Sequence, residues 1–279
     1  MMKQDRTFRL LMRRLCLAWM AHGARRIPTD EGAGPTVVFA PHFDDEVLAC
    51  GGTIIKKKRA GAPVTVVFMT DGSKSHRDFV DGATLKAIRS NEAQRAAQVL
   101  GLGSSEVVML GHEEMHLADV VPEAMGQVAD LLAALRPAEV FVPSRREPHV
   151  DHAATWRIIY GALARSSADV TLYEYPVWLW HNWPWVPASG STWRRSLRAA
   201  LAGLWVFLGE THWRIAVWDV LETKRSALAQ YKSQTTRMTL DPRWPILSDV
   251  GDGEFLECFF AGSEFFARTK RGSTGNRTR

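Results

Sequence analysis

The chain has 279 residues, of which 46% are hydrophobic and 23% charged, a composition that suits one large globular domain. No apolar run approaches the roughly 20 residues that a membrane-spanning helix needs, which argues against an integral membrane protein. The formal net charge of +5 comes from the ends, because residues 1–26 carry seven Lys/Arg against one Asp and residues 268–279 carry five Lys/Arg and no acid, so a nucleic-acid-binding core is not expected.

Residues 1–34 are expected to form a basic amphipathic helix followed by a linker. An apolar stripe at helical spacing consists of Phe8, Leu11, Met12, Leu15 and Trp19, and Arg6, Arg9 and Arg13 fall away from it. Two placements stay open for such a helix. It lies on an anionic membrane surface, as a peripheral contact at the inner membrane face, or it packs on the domain that follows.

Residues 36–177 alternate between strand and helix patterns. Short β-branched runs predict strands at 36–40, 63–70, 106–110, 139–143 and 170–177, and strong helix formers predict helices at 46–60, 84–100, 122–135 and 152–166. This alternation predicts an α/β fold, a Rossmann-like and mostly parallel sheet with helices on both faces.

The pattern changes after residue 177. Residues 178–218 hold eight of the eleven tryptophans and are expected to form a helical or loop elaboration, an insertion or subdomain, of a single domain at 35–267. Helical patterning resumes at 215–234, and residues 268–279 are expected to be a disordered basic tail. Three cysteines without paired or metal-binding spacing, Cys16, Cys50 and Cys258, favour a reducing, cytoplasmic location.

Polar clusters follow three of the predicted strands, at the edge of the sheet where open α/β proteins bind ligands. The clusters are His42, Asp44, Asp45 and Glu46 after the first strand, Asp71 after the second, and "REPHVDH" (146–152) after the strand at 139–143. One H-x-x-D and one H-x-x-H can together supply three ligands to a zinc ion and leave a fourth position for water. A divalent cation would compensate the gathered carboxylates.

The residues left over beside such ligands suit amide or ester hydrolysis. Asp44 is close enough in sequence to Asp45 to take a proton from activated water, and His149 could act as an imidazolium that stabilises an oxyanion or protonates a leaving amine. Asp151 could orient an imidazole.

A competing motif is "HEEMH" (112–116), which fits the H-E-x-x-H signature of zinc proteases. That signature requires a helix, whereas Gly111 precedes it, a strand pattern ends just before it and Pro122 follows soon after. A zinc protease is therefore the less favoured alternative.

These residues resemble the PIG-L/LmbE-like family of zinc-dependent N-acetylglucosaminyl deacetylases. Its A-H-P-D-D-E motif with a following glycine pair is similar to "PHFDDEVLACGG" (41–52), and its H-P-D-H or H-x-D-H motif is similar to "HVDH" (149–152). The resemblance continues in "TDGS" (70–73), "RSNEAQRAAQVLG" (89–101) and the "LG" at 110–111. It covers roughly residues 35–176, with a weaker likeness in "KRSALAQYKSQ" (224–234).

The resemblance implies a role for each matching residue. Zinc would be held by His42, Asp45 and His152, with iron(II) as an alternative ion. Asp44 would be the general base, and His149 the acid or oxyanion-stabilising residue with Asp151 as its charge partner. Residues implied to contact the sugar are Arg89, Glu113, Glu114 and Asp71. Phe43 and Val150 depart from the family, which usually has proline there, so Phe43 must aim its neighbours by packing.

The resemblance further implies a metal-dependent hydrolase that removes an N-acetyl or other N-acyl group from an amino sugar or its conjugate, with no nucleic-acid partner. The substrate would be a small molecule or a glycolipid. A non-catalytic glycan-binding module on the same scaffold stays open as an alternative, should Phe43 displace Asp44.

Overall fold

The structure, a computed structural model, describes residues 2–29, 34–166, 168–182, 184–186 and 205–271. Much of the expected Trp-rich elaboration (187–204) and the end of the expected tail (272–279) lie outside the described residues. The expected helix at 1–34 is α1, Met2–Gly23. The other helices are α2 Asp45–Arg59, α3 Gly82–Leu100, α4 Val121–Leu135, α5 Val150–Ala164, α6 Leu221–Leu228, α7 Lys232–Thr235 and α8 Glu254–Phe259.

Eight strands of the described chain form one sheet in the order β1-β7-β8-β6-β5-β2-β3-β4. The strands are β1 Arg25–Arg26, β2 Thr36–Ala40, β3 Val64–Thr70, β4 Val107–His112, β5 Glu139–Pro143, β6 Val170–Tyr175, β7 Trp213–Ala216 and β8 Ser263–Arg271. The five central strands from β6 to β4 are parallel, and β8 pairs antiparallel with both β6 and β7. The predicted α/β fold with a mostly parallel sheet is confirmed.

Both faces of the central sheet are covered by helices, which explains why its strands read as continuous apolar runs. On one face Val38 and Phe68 pack with apolar residues of α2 and α3. On the other face Val37 and Met69 pack with apolar residues of α4 and α5. Alternate residues of β2 therefore belong to two different cores, and all five residues of β2 are buried.

The chain order creates a switch point between β2 and β5. β2 pairs with β3 on one side and with β5 on the other, so the connections that leave β2 and β5 run to opposite faces of the sheet. A crevice outside the strand ends opens where such connections diverge. The two histidine motifs follow these two strands, so the topology brings them together.

Two expectations about the C-terminal part are wrong in detail. The predicted helix at 215–234 is interrupted, since 213–216 is strand β7, which pairs with β8 and β1, and the helices begin only at Leu221. The alternation in "WRIA" (213–216) is that of a strand, and the predicted helix includes two of its residues. The expected tail at 268 begins inside β8, which continues to Arg271 because 268–271 pair with β6.

Candidate active site

Two short loops at the switch point bring the histidine motifs side by side. β2 ends at Ala40 and α2 begins at Asp45, so His42 and Asp44 lie in the connection between them. β5 ends at Pro143 and α5 begins at Val150, which places His152 in the first turn of α5. His42, Asp45 and His152 are all buried at this edge of the sheet.

Three atoms of these side chains form a nearly equilateral triangle. Oδ2 of Asp45 lies 3.3 Å from Nδ1 of His42 and 3.2 Å from Nε2 of His152, and the two nitrogens are 3.3 Å apart. Ligands about 2.0–2.1 Å from a tetrahedral zinc ion are separated by about 3.3–3.4 Å. The spacing of the three atoms therefore fits one face of a zinc coordination shell.

A looser triangle is formed by the rings of His42, His149 and His152, whose candidate ligand atoms lie within 4.8 Å of one another. That separation exceeds the edge of a zinc tetrahedron, whereas the triangle with Asp45 matches it. We therefore favour Asp45 as the third ligand and leave His149 beside the metal position.

The charges around the triangle call for a cation. Burial alone would lower the pKa of His42, but Asp151 and Asp45 raise it to about 10. Burial likewise opposes protonation of His152, yet Asp45 and Glu147 raise its pKa to about 9. Two imidazolium charges thus form when only protons are present, and a divalent ion bound by neutral imidazoles would supply the same positive charge.

In both His42 and His152, the ring nitrogen that faces away from the triangle lies next to a carboxylate. Oδ2 of Asp151 lies 3.2 Å from Nε2 of His42 and also accepts the Met115 N–H at 2.7 Å. Oε2 of Glu147 lies 3.2 Å from Nδ1 of His152, at ion-pair distance but without hydrogen-bond alignment. Asp151 therefore orients His42, and its expected role as the charge partner of His149 stays a prediction. Carboxylates in this position fix the orientation of metal-binding imidazoles.

Asp44 sits in a strained turn directly above α2. Its φ of 107° is unusual for a residue with a side chain, and such strain persists where surrounding contacts impose it. Its N–H donates to Oε2 of Glu46 at 3.1 Å, and Oε1 of Glu46 accepts the Tyr231 hydroxyl at 2.6 Å. Burial, and Asp45 next to it, raise the pKa of Asp44 to about 7, against the opposing effect of Arg89.

Phe43 takes over the positioning that a proline would provide. Its ring is buried, packs on Phe68 with centroids 4.8 Å apart, and lies below the Arg89 guanidinium. Arg89 donates to the Phe43 carbonyl at 2.7 Å. Gly72 makes room for the ring, because a Cβ there would lie 2.7 Å from its Cδ2. Packing and one charged hydrogen bond thus hold Asp44 in place, and Phe43 does not displace it from the cavity.

His149 is the N-cap of α5, and its Nδ1 accepts the Asp151 N–H at 3.3 Å. An accepting Nδ1 carries no proton, so the neutral ring keeps its proton on Nε2. Burial, followed by the nearby His42 and His152, lowers the pKa of His149 to about 4. The expected imidazolium is therefore disfavoured at neutral pH, and a bound cation would disfavour it further.

A cavity of about 300 Å³ opens onto this constellation. One wall is polar and includes Lys74, Ser75, His76, Arg89, Glu114 and Gln234. The facing wall is apolar and includes Leu48, Val177, Trp178, Leu247, Val250 and Phe255. A ligand with a polyhydroxyl part and an apolar part would satisfy both walls.

The expected sugar contacts divide into two pairs. Arg89 and Glu114 are buried, lie 3.7 Å apart and line the cavity. Glu113 is not among the lining residues and pairs with Lys74 at 2.5 Å, while Asp71 accepts the N–H groups of Ser73 and Glu114 and shapes the loop.

"HEEMH" does not form a helix. His112 ends β4 and bonds Gln127, Met115 has a φ of 71°, and His116 bonds Asp119 at the surface. The two imidazoles therefore do not share a helix face, and this chain lacks the zinc-protease arrangement at that motif.

Several residues of the site carry no role in the sequence interpretation. Glu46 and Glu147 lie within the polar clusters of the sequence. Only their contacts in the structure show that Glu46 supports the turn at Asp44 and that Glu147 lies behind His152. Tyr231 and Gln234 belong to "KRSALAQYKSQ", whose weak family likeness was the available signal. Trp178 lines the cavity from the start of the Trp-rich stretch.

The arrangement defines an open α/β protein with a candidate metal-dependent hydrolytic centre at its switch point. Residues 37–163 match the PIG-L family, GlcNAc-PI de-N-acetylase. The match covers slightly less than half of the chain, and this part of the chain is similar to that family.

Two relatives and one solved structure illustrate the similarity. A diacetylchitobiose deacetylase of Thermococcus kodakarensis is 30% identical over 113 residues, which span 40% of this chain and 41% of that enzyme, less than half its length. A probable N-acetyl-alpha-D-glucosaminyl L-malate deacetylase 2 of Bacillus cereus is 28% identical over 212 residues, 74% of this chain and 85% of that protein. The structure of N,N'-diacetylchitobiose deacetylase from Pyrococcus horikoshii superposes with a TM-score of 0.58 at 20% identity, covering 85% of this chain and 84% of that one, which shows a shared fold.

Proposed function

We propose that this protein is a metal-dependent hydrolase that removes an N-acetyl or other N-acyl group from an amino sugar or its conjugate. The observation that carries the proposal is the triangle of His42, Asp45 and His152 with Asp44 beside it, at the mouth of a cavity. The relatives named above as deacetylases of amino-sugar compounds support the same reaction class.

The ion is proposed to be zinc, with iron(II) as the alternative. Two imidazole nitrogens and one carboxylate oxygen suit either ion, and the 3.2–3.3 Å separations suit the short bonds of tetrahedral zinc. When bound, such an ion supplies Lewis acidity toward the amide carbonyl and makes water a stronger acid.

The chain's own residues would then carry the proton transfers. Asp44 would accept a proton from the attacking water and return it to the leaving nitrogen; burial raises its pKa to about 7 in the metal-free protein, which makes it a stronger base than an ordinary aspartate. His149 donates a hydrogen bond from Nε2 to the developing oxyanion as a neutral ring. Asp151 and Glu147 keep His42 and His152 oriented. This assignment replaces the expected imidazolium at His149.

Arg89 and Glu114 are the proposed sugar contacts. Both present buried charged groups to the polar wall, where hydroxyl groups can both donate and accept. The apolar wall of Trp178, Leu247 and Phe255 would face an acyl chain or an apolar aglycone, and a tryptophan ring also suits stacking on a sugar.

The remaining expectations also stay proposals. Residues 35–271 are proposed to be one catalytic domain, with the end moved to include all of β8. A cytoplasmic location is proposed because Cys16, Cys50 and Cys258 are all free and buried. No helix of the described residues is long and apolar enough to cross a bilayer.

The decisive experiment measures acetate release from a panel of N-acetylated amino sugars by the zinc-loaded protein and its Asp44→Asn variant. We expect turnover by the wild type and a loss of at least about 100-fold in the variant, with metal content unchanged. Asp219→Asn, at the surface beside Lys56 and outside the cavity, is the control. A protein that binds zinc and a glycan yet releases no acyl group across acetylated and longer-chain substrates would be a binding module instead.

A further inference from the structure

The N-terminal helix α1 turns its apolar stripe toward solvent. Phe8, Leu11, Leu15 and Trp19 are each more than half exposed. At 100° per residue they fall within an arc of about 80°, so they form one continuous ridge along the helix. Contiguous apolar surface of this kind is uncommon on a monomer and marks a contact site.

The opposite face of α1 attaches the helix to the domain. Arg9 is buried and forms a two-pronged ion pair with Glu254, donating to Oε1 from Nη2 at 2.7 Å. Arg13 donates to the Glu254 carbonyl at 3.3 Å and pairs with Glu257. Cys16 and Met20 are buried on the same side.

This arrangement reverses the usual orientation of an amphipathic helix on a globular core, where apolar residues face inward and charges face water. Here buried ion pairs fix the helix, so the exposed ridge does not result from loose attachment. Among the described residues nothing covers the ridge.

Charge indicates what the ridge contacts. Arg14 on α1 and Arg25 and Arg26 just beyond it are exposed. Long arginine side chains beside an apolar ridge can reach phosphate groups while the ridge enters the acyl region, and Trp19 suits the interface between the two. The ridge and its basic borders thus match an anionic lipid surface.

We propose that the outer face of α1, formed by Phe8, Leu11, Leu15 and Trp19 with Arg14 at its border, docks this protein on an anionic lipid bilayer. Glu254, which α1 holds, is followed by Phe255 in the apolar wall of the cavity.

Vesicle flotation of the full chain tests the surface. We expect the wild type to float at low salt with vesicles of phosphatidylcholine and phosphatidylglycerol, to float at least tenfold less with phosphatidylcholine alone, and to be released by high salt. The variant Leu11→Glu with Leu15→Glu should lose binding at least tenfold. The matched control is Met238→Glu with Leu240→Glu, two exposed apolar residues elsewhere, and it should float like the wild type.

Two results would overturn the proposal. One is a wild type that stays at the bottom of the gradient with anionic vesicles at low salt. The other is a dimer in sedimentation velocity that Leu11→Glu with Leu15→Glu converts to a monomer, without vesicle binding by either protein, because the ridge would then be covered by a second copy. Circular dichroism confirms that both variants are folded.

Acetate release from a water-soluble amino sugar, measured without vesicles, separates this proposal from the proposed function. The Leu11→Glu and Leu15→Glu variant should keep the wild-type rate, since these side chains do not line the cavity. Flotation without any acyl release would leave the docking surface standing and remove the enzyme assignment. Turnover without flotation would support the enzyme assignment and remove the docking surface.

Discussion

The carboxylate of Glu147 lies 3.2 Å from Nδ1 of His152, on the side of the ring opposite the nitrogen that faces Asp45. Its oxygens also accept the N–H groups of Val177 and Trp178 at 2.8 and 2.9 Å. Glu147 therefore ties a candidate metal ligand to the loop that begins the apolar wall of the cavity.

Replacing Glu147 by glutamine should weaken metal binding by about 10–100-fold, the usual effect of removing a carboxylate behind a ligating histidine. The amide oxygen can still accept the Val177 N–H, whereas the amide NH2 group cannot accept the Trp178 N–H, so the loop keeps part of its anchoring. Competition with a chromogenic zinc chelator measures the affinity. Glu174→Gln is the control, because Glu174 is equally buried but bonds Arg145, and an equal loss in both variants would contradict the role of Glu147.

Metal content should distinguish the triangle of His42, Asp45 and His152 from the "HEEMH" motif as the site of the metal. His42→Ala and His152→Ala should each lose about one equivalent of zinc, since each removes one corner of the triangle. His116→Ala should retain it, because the His116 side chain is exposed and pairs with Asp119 at the surface. Elemental analysis of the purified variants gives the answer, and loss confined to His116→Ala would move the site to "HEEMH".

The sequence was sufficient to predict the strands and the residues that gather at their carboxyl ends. The β-branched runs located all five parallel strands within two residues, and the rule for strand ends brought His42, Asp45 and His152 together. Partnerships across the fold were not predictable. Which imidazole Asp151 supports depends on how far α5 approaches β2, and no spacing along the chain records that distance.

The N-terminal helix shows the same limit. Its stripe and the position of its arginines were readable from helical spacing, but which face meets the domain was not. The buried partner of Arg9 is Glu254, 245 residues away in the chain, and that ion pair turns the apolar stripe outward. Similarly, β7 was mistaken for helix because its pairing partner β8 lies almost 50 residues later.

The acidic side of the pH–rate profile should report Asp44. A protonated Asp44 cannot take a proton from water, so kcat/KM should fall as the pH drops through the pKa of this group. That pKa is about 7 without metal, and the positive charge of a bound ion lowers it, so the limb should lie at or below about pH 7. Initial rates between pH 4 and 9 measure it, and activity that stays flat down to pH 4 would exclude Asp44 as the base.

Phe43 and Gly72 should be coupled through their contact. Gly72→Ala meets both a φ of 69° and the Phe43 ring, whereas Gly61→Ala meets a φ of 77° with nothing within 4 Å. The left-handed backbone costs about 1–2 kcal/mol in each variant. Urea unfolding should show a loss larger by about 1 kcal/mol or more in Gly72→Ala, since overpacking adds to it. Equal losses would mean that the ring has room to move.

Truncating the ring tests the same support from the other side. Phe43→Ala should lower the free energy of unfolding by about 3–5 kcal/mol, because a buried aromatic side chain leaves a cavity. It should also reduce kcat while metal content stays near one equivalent, since Asp44 loses the packing that holds its turn and the three ligands do not. A variant with full kcat would show that the Arg89 hydrogen bond to the Phe43 carbonyl is sufficient.

Glu46 should make the metal-free protein less stable at alkaline pH. Burial raises the pKa of Glu46 from 4.5 to about 8, so the folded state holds a proton that the unfolded state releases above about pH 4.5. Stability from this group therefore falls as the pH rises, and between pH 7 and 9 the loss is about 1 kcal/mol.

Glu46→Gln removes the titration and can keep both contacts if the Tyr231 hydroxyl turns to accept. Urea unfolding at pH 7 and 9 should show a smaller decrease in Glu46→Gln than in the wild type. Identical decreases would mean that Glu46 is already ionised in the folded protein at pH 7, and that the strained turn at Asp44 is held by a carboxylate rather than by a carboxylic acid.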